Sequence, residues 1–273
     1  MTGPAPDPRL IAAAVDLVMG GLAAETRRPL VLGICGAQGS GKSTLAGALA
    51  ERLAADGLRV AVLSLDDLYC TRADRQRLAR VVHPLLATRG VPGTHDVAVG
   101  METLAALDCG DPVPLPRFDK ATDDRVPAPE WSRAPRQCQV LVFEGWCVGA
   151  RAQAESALAA PVNALESQED PDGVWRRHVN AALATAYAPL FGRIDRLLLL
   201  AAPGFEAVFG WRRQQEEALR ARTGGGMDDA ALLRFIGHYE RLTRHILQEM
   251  PARADCTACL DKDRNAVRIE SRR

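Results

Sequence analysis

Residues 36–44 read Gly36-Ala37-Gln38-Gly39-Ser40-Gly41-Lys42-Ser43-Thr44 and satisfy the pattern G-x-x-x-x-G-K-[ST]. Glycines at these intervals let consecutive backbone N–H groups turn inward around phosphate oxygens. Lys42 would place a point charge on the β- and γ-phosphates, and Ser43 would offer a hydroxyl to Mg²⁺. All nine residues are candidates to hold ATP. Further on, LSLDDLY (63–69) carries the adjacent carboxylates Asp66 and Asp67, and QVLVFEG (139–145) ends in Glu144-Gly145. Phosphate transfer to an alcohol needs a carboxylate beside the attacking hydroxyl, to orient it and accept its proton. Asp66 is the candidate for that base and Asp67 the alternative, while helix capping would explain either structurally. Glu144 is the candidate to complete the Mg²⁺ shell begun by Ser43, against a purely structural buried glutamate.

The elements around these residues suit the chemistry. PLVLGICG (29–36) is a continuous apolar run ending in glycine, as expected of a strand buried on both faces of a parallel sheet. Leu45, Leu49 and Leu53 mark one face of a helix over 43–55, stopped by Asp56-Gly57. LRVAVLSL (58–65) predicts a second buried strand, which completes a strand–helix–strand unit. Further strands are expected at 139–145, at 195–203 and in a C-terminal strand–turn–strand pair. Helices are expected over 9–25, 176–191, 205–222 and 229–249. Between the second and third strands the pattern is lost, and six prolines fall within 111–135. A loop this long inside a domain is usually functional or disordered. The expected fold is a three-layer α/β domain over 1–273, with a mainly parallel sheet between helices, a substrate-side excursion over 66–138 and a lid segment over 205–226.

Composition narrows the function classes. The 273 residues carry 34 basic and 34 acidic side chains, so no global charge draws the chain to nucleic acid. No apolar run is long enough to span a membrane, and MTGPAPDPRL lacks the layout of a signal peptide. Seven cysteines are an odd number and too few for a disulfide scaffold. They are expected as reduced thiols in the cytoplasm, with Cys256 and Cys259 the one tight pair. None of the three lysines follows an asparagine, so the N-K-x-D motif of a GTPase is missing, as is the L-S-G-G-Q of a transport ATPase. A small-molecule kinase remains.

LSLDDLY, RGVPGTHD (89–96), PRFDKATDDR (116–125), FEGWCVG (143–149) and HYERLTRHILQEMP (238–251) together resemble the plant-type D-glycerate 3-kinase family. This is a group of P-loop kinases related to uridine kinase, phosphoribulokinase and pantothenate kinase. The resemblance runs from about residue 30 to the C-terminus. It implies that Asp66 acts as base, that Glu144 lies on the magnesium side, and that RGVPGTHD and PRFDK close over the acceptor. It also implies D-glycerate as acceptor and 3-phosphoglycerate as product. A small hydroxy acid needs a cation for its carboxylate and acceptors for its hydroxyls, which His95, Asp96, Arg117, Asp119 and Lys120 could supply. Each could equally be a loop charge or a turn residue.

WRRQQEEALRAR (211–222) contains four arginines. Arg212 and Arg213 could neutralise charge on the transferring phosphoryl group, with Gly224-Gly225-Gly226 as a hinge. Their i,i+4 spacing to Glu216 and Glu217 equally suits a salt-bridged surface helix. Two other functions stay open: a kinase for a nucleoside, a pantothenate-like alcohol or another sugar acid, and an ATP-binding switch protein.

Overall fold

The computed structural model describes residues 6–24, 29–223 and 225–272. The apolar run predicted as a strand forms β1 (Leu30–Gly36), all seven residues of which are buried. It lies between β5 (Val140–Gly145) and β6 (Arg196–Ala201), both parallel to it. β2 (Val60–Ser64) pairs with the far side of β5, and β7 (Cys256–Leu260) with the far side of β6, again in parallel. β8 (Ala266–Ser271) closes the sheet antiparallel, giving the order β2-β5-β1-β6-β7-β8.

Side chains alternate across β1, and the core divides accordingly. Leu30, Leu32 and Ile34 face a cluster built with α1 (Pro8–Ala24), α2 (Lys42–Ala55) and α8 (Phe205–Thr223). Val31 and Cys35 face a second cluster, built with α4 (Val97–Asp108), α6 (Val174–Ala184) and α7 (Tyr187–Phe191). α9 (Asp229–Glu249) adds Ile236 to the first and Leu242 to the second. The result is the expected three-layer α/β fold. Glu25, at the end of the expected first helix, Gly224 of the expected hinge, and residues 1–5 lie outside the described residues.

Two expectations need correction. The single helix over 176–191 is two, α6 and α7, separated at Thr185-Ala186. Pro189 has no N–H for a bond to Thr185 four residues earlier, and its ring would crowd that carbonyl. The excursion is also more regular than its sequence suggests. It contains α3 (Arg72–Val81), α4 and a small hairpin of β3 (Phe118–Asp119) and β4 (Asp124–Arg125). The one buried residue of α3 is Arg75, so the helix has no apolar stripe to announce it. In α4 the buried stripe is Gly100, Thr103, Leu104 and Leu107, half of it not apolar.

α5 (Ala164–Glu169) precedes the turn at 170–173, where a D-x-x-G string occurs. Asp170 there is buried, pairs with Arg176 at 3.0 Å and accepts from Trp175 N–H at 2.8 Å. No helix among the described residues is long and apolar enough to cross a membrane.

Candidate active site

The strand register gathers the candidate residues at one end of the sheet. Glu144 lies opposite Ile34, two residues before Gly36, and opposite Ser64, two residues before Asp66. It therefore sits between the strand that feeds the glycine loop and the strand that feeds the two aspartates. In an open α/β sheet this carboxyl end faces the ligand crevice.

Gly39 and Gly41 hold φ of 80° and 90°, a region that side chains resist, and Gly41 caps α2. A Cβ on Gly39 would fall 2.7 Å from the Cβ of Trp211, so α8 packs directly on the loop. On the other side Arg264 donates to the Gly39 carbonyl at 2.7 Å and lies over the Trp211 ring. A cleft of about 570 Å³ opens beside the loop, lined by Gly39, Gly41, Thr44, Gln215, Arg264 and Asn265. Oε1 of Gln38 and Oγ of Ser40 are buried without a partner.

Ser43 Oγ donates to Glu144 Oε1 at 2.9 Å. Glu144 is 4% exposed, and its Oε2 is buried with no partner. An orphaned carboxylate oxygen is costly unless something cationic completes it. A hydroxyl and a carboxylate are hard oxygen donors of the kind Mg²⁺ takes, so the pair fits that ion.

Asp66 and Asp67 cap no helix. Ser64 accepts from Asp66 N–H and caps the short turn Leu65–Leu68. Both carboxylates reach instead to the PRFDK segment. Asp66 accepts from Lys120 Nζ at 2.6 Å and from the Tyr69 hydroxyl at 2.8 Å. Burial would push its carboxyl up, but the cations Lys120 and Lys42 outweigh that and hold it at about 2. Asp67 accepts from Phe118 N–H and from Arg117, each at 3.1 Å. Burial raises its carboxyl. Asp66 is thus an anion facing two cations, and Asp67 is a tether for the hairpin.

The other acceptor candidates are not all brought here. Lys120 is. Arg117 is 55% exposed and turned onto Asp67. Asp119 closes its own turn by accepting from Ala121 N–H and Thr122. Asp96 caps α4 through Val99 N–H and pairs with Arg125 at 3.0 Å. His95 is buried behind Tyr69, stacked on it with ring centroids 4.6 Å apart. The Tyr187 hydroxyl accepts from Gly93 N–H and lies 2.6 Å from His95 Nδ1, which fixes the ring's position behind Tyr69. Burial holds this imidazole at about 4, neutral at physiological pH.

In α8, Arg212 pairs with the buried Glu216, whose Oε2 also accepts from Met227 N–H at 3.2 Å. Arg213 is exposed and lies 3.1 Å from Glu217. In this conformation both arginines form the i,i+4 pairs of a salt-bridged helix. Sequence reasoning missed Arg264, whose partners Gly39 and Trp211 lie far along the chain, and Tyr69, whose hydroxyl partner Asp66 is only three residues away.

A glycine loop between strand and helix, with an acid at the end of each of two neighbouring parallel strands, defines a P-loop phosphotransferase. Comparisons with known proteins narrow the class. The family described as "Methylmalonyl Co-A mutase-associated GTPase MeaB" matches residues 5–73, the segment of the glycine loop and Asp66. The uncharacterized kinase mug58 of Schizosaccharomyces pombe is 39% identical over 222 residues, covering 78% of this chain and 79% of its own. The chloroplastic D-glycerate 3-kinase of Arabidopsis thaliana is 31% identical over 77% of this chain, which spans only 46% of that relative. The solved D-glycerate 3-kinase of Cryptococcus neoformans superposes with a TM-score of 0.82 at 26% identity, covering 97% of this chain and 100% of its own. The chain belongs to the plant-type D-glycerate 3-kinase family of P-loop kinases. It is an ATP-dependent phosphotransferase, which leaves the switch-protein alternative without support.

Proposed function

We propose that this kinase phosphorylates D-glycerate on its 3-hydroxyl with Mg²⁺-ATP. The observation that carries the proposal is the row Ile34–Glu144–Ser64, two residues short of both Gly36 and Asp66, which supports reading Asp66 as the acid beside the acceptor. The relatives named as glycerate 3-kinases supply the acceptor.

On this reading the loop N–H groups and Lys42 hold the triphosphate, and the nucleoside lies in the cleft beside Arg264. Ser43 and Glu144 would hold Mg²⁺, which neutralises phosphate oxygens when bound. Asp66 receives the acceptor hydroxyl. A carboxyl held at about 2 is a weak base, so its main work is to orient the hydroxyl and take the proton late. Lys120 now occupies Asp66 Oδ2 and must yield part of that contact as the acceptor enters. Arg212 would leave Glu216 and turn to the transferring phosphoryl group when the 205–226 lid closes. Trp211, the residue before it, already touches the loop at Gly39.

The test is a transfer assay with D-glycerate, other short hydroxy acids, pantothenate and nucleosides, with the product's phosphate position assigned by NMR. D-Glycerate should give the highest kcat/KM, and phosphate should appear on the 3-oxygen. A higher kcat/KM for a nucleoside or for pantothenate would overturn the assignment.

A further inference from the structure

Arg75 and Arg89 converge on one carboxylate. Arg75 reaches Asp123 Oδ2 at 3.0 Å, and Arg89 pairs with Asp123 Oδ1. Both guanidinium groups lie over the Phe118 ring, at 5.7 and 5.6 Å from its centroid. The remaining partners of Arg75 are the neutral carbonyls of Cys70, Ala87 and Asp123. Two positive charges therefore share one negative charge, and one is left over within the cluster. Arg75 is 1% exposed, whereas Arg89 is 27% exposed, so the surplus is presented through Arg89.

Arg89 stands on a fixed base. The Tyr239 hydroxyl donates to its carbonyl at 3.1 Å, and Trp146 Nε1–H donates to the next carbonyl, that of Gly90, at 2.8 Å. A Cβ on Gly90 would meet the Tyr239 hydroxyl at 2.1 Å, so only glycine allows this grip. Asp123 holds φ of 57°, a strained value for a side-chain-bearing residue, with Arg75 bound to its carbonyl. The cluster adjoins Asp66 through aromatic rings. Phe118 packs edge-on against Tyr69, centroids 5.2 Å apart, and Tyr69 donates to Asp66.

We infer that Arg89 is the specificity residue that pairs with an anionic group of the acceptor while Asp66 takes its hydroxyl. A planar guanidinium fixed by a carboxylate and an aromatic face suits bidentate binding of a carboxylate. The inference rests on the proposed acceptor side at Asp66, but it commits to an acid and not to glycerate in particular. Asp123 acts through Arg89 as its positioning residue.

The experiment compares D-glycerate, D-lactate and their neutral counterparts glyceramide and lactamide, in wild type, Arg89→Met and Arg89→Lys. Losing a charged hydrogen bond should raise KM for the preferred acid roughly 10–100-fold in Arg89→Met and leave KM for ATP unchanged. KM for the amide should move little, and Arg89→Lys should recover part of the loss. Thermal melting of each variant separates binding from folding. If the wild type prefers glycerate and Arg89→Met keeps the full preference for acid over amide, Arg89 is not the reader and the glycerate assignment stands. If another acid is preferred and Arg89→Met erases its advantage, glycerate fails and Arg89 stands. A wild type that favours the amides overturns both.

Discussion

The ammonium of Lys120 lies 2.6 Å from Oδ2 of Asp66, across 54 residues of sequence. This pair ties the hairpin of the excursion to the end of β2, one strand removed from the strand that feeds the phosphate loop. Together with Lys42, Lys120 also keeps the Asp66 carboxylate ionised against the burial that would raise it.

The pair has a pH signature. The Asp66 carboxyl moves from an ordinary 3.8 to about 2 on folding. A lowered folded value stabilises above the unfolded value and is lost as pH falls through the folded one, here between about 4 and 2. The contribution at neutral pH is about 2 kcal/mol by that shift. Lys120→Met should therefore be less stable than wild type at pH 7, with the gap closing as the pH approaches 2. Urea unfolding across that range is the measurement; a gap independent of pH would show that Lys120 contributes by packing alone.

Asp67→Asn should act on structure. Its carboxylate holds Phe118 N–H and Arg117, and the amide can keep only part of this. A loss of about 1–3 kcal/mol is expected, with kcat reduced less than tenfold. Denaturant midpoints and saturating kinetics together check it, and a crippled kcat with unchanged stability would move the base to Asp67.

Glu144→Gln should separate activity from stability. Removing a negative ligand would raise the Mg²⁺ needed for half-maximal rate roughly 10–100-fold. The melting temperature should not fall, because the native carboxylate keeps a buried oxygen without a partner. An unchanged magnesium titration would make Glu144 structural.

For the lid, Arg212→Ala should lower kcat more than it changes KM for ATP, since charge develops on the phosphoryl group only in the transition state. It should also loosen the Glu216 tether to Met227, visible as faster amide exchange near 227. Loss of stability with full kcat would leave only the salt-bridged helix.

The sheet and the loop were legible because buried parallel strands are continuous apolar runs and the loop's residue types are dictated by phosphate. Ser43 and Glu144 could be paired from their places at the ends of elements. The acceptor side was harder. A capping aspartate such as Asp96 and a turn aspartate such as Asp119 look in sequence like ligands, because each role needs the same short carboxylate. Arg89 escaped notice because its partner Asp123 lies 34 residues on, in a hairpin that no periodicity marks. Arg75 hid the helix that carries it, since a buried arginine reads as a surface charge.

The central claim is that the carboxylate at the end of β2 serves the acceptor and not the nucleotide. Asp66→Asn, assayed with saturating ATP and D-glycerate, tests it most directly. The amide keeps the shape and removes the charge, so kcat should fall about 10²–10⁴-fold while the Kd for ATP stays within a few-fold of wild type. An Asp66→Asn enzyme with wild-type kcat, or one whose only defect is ATP binding, would contradict the account.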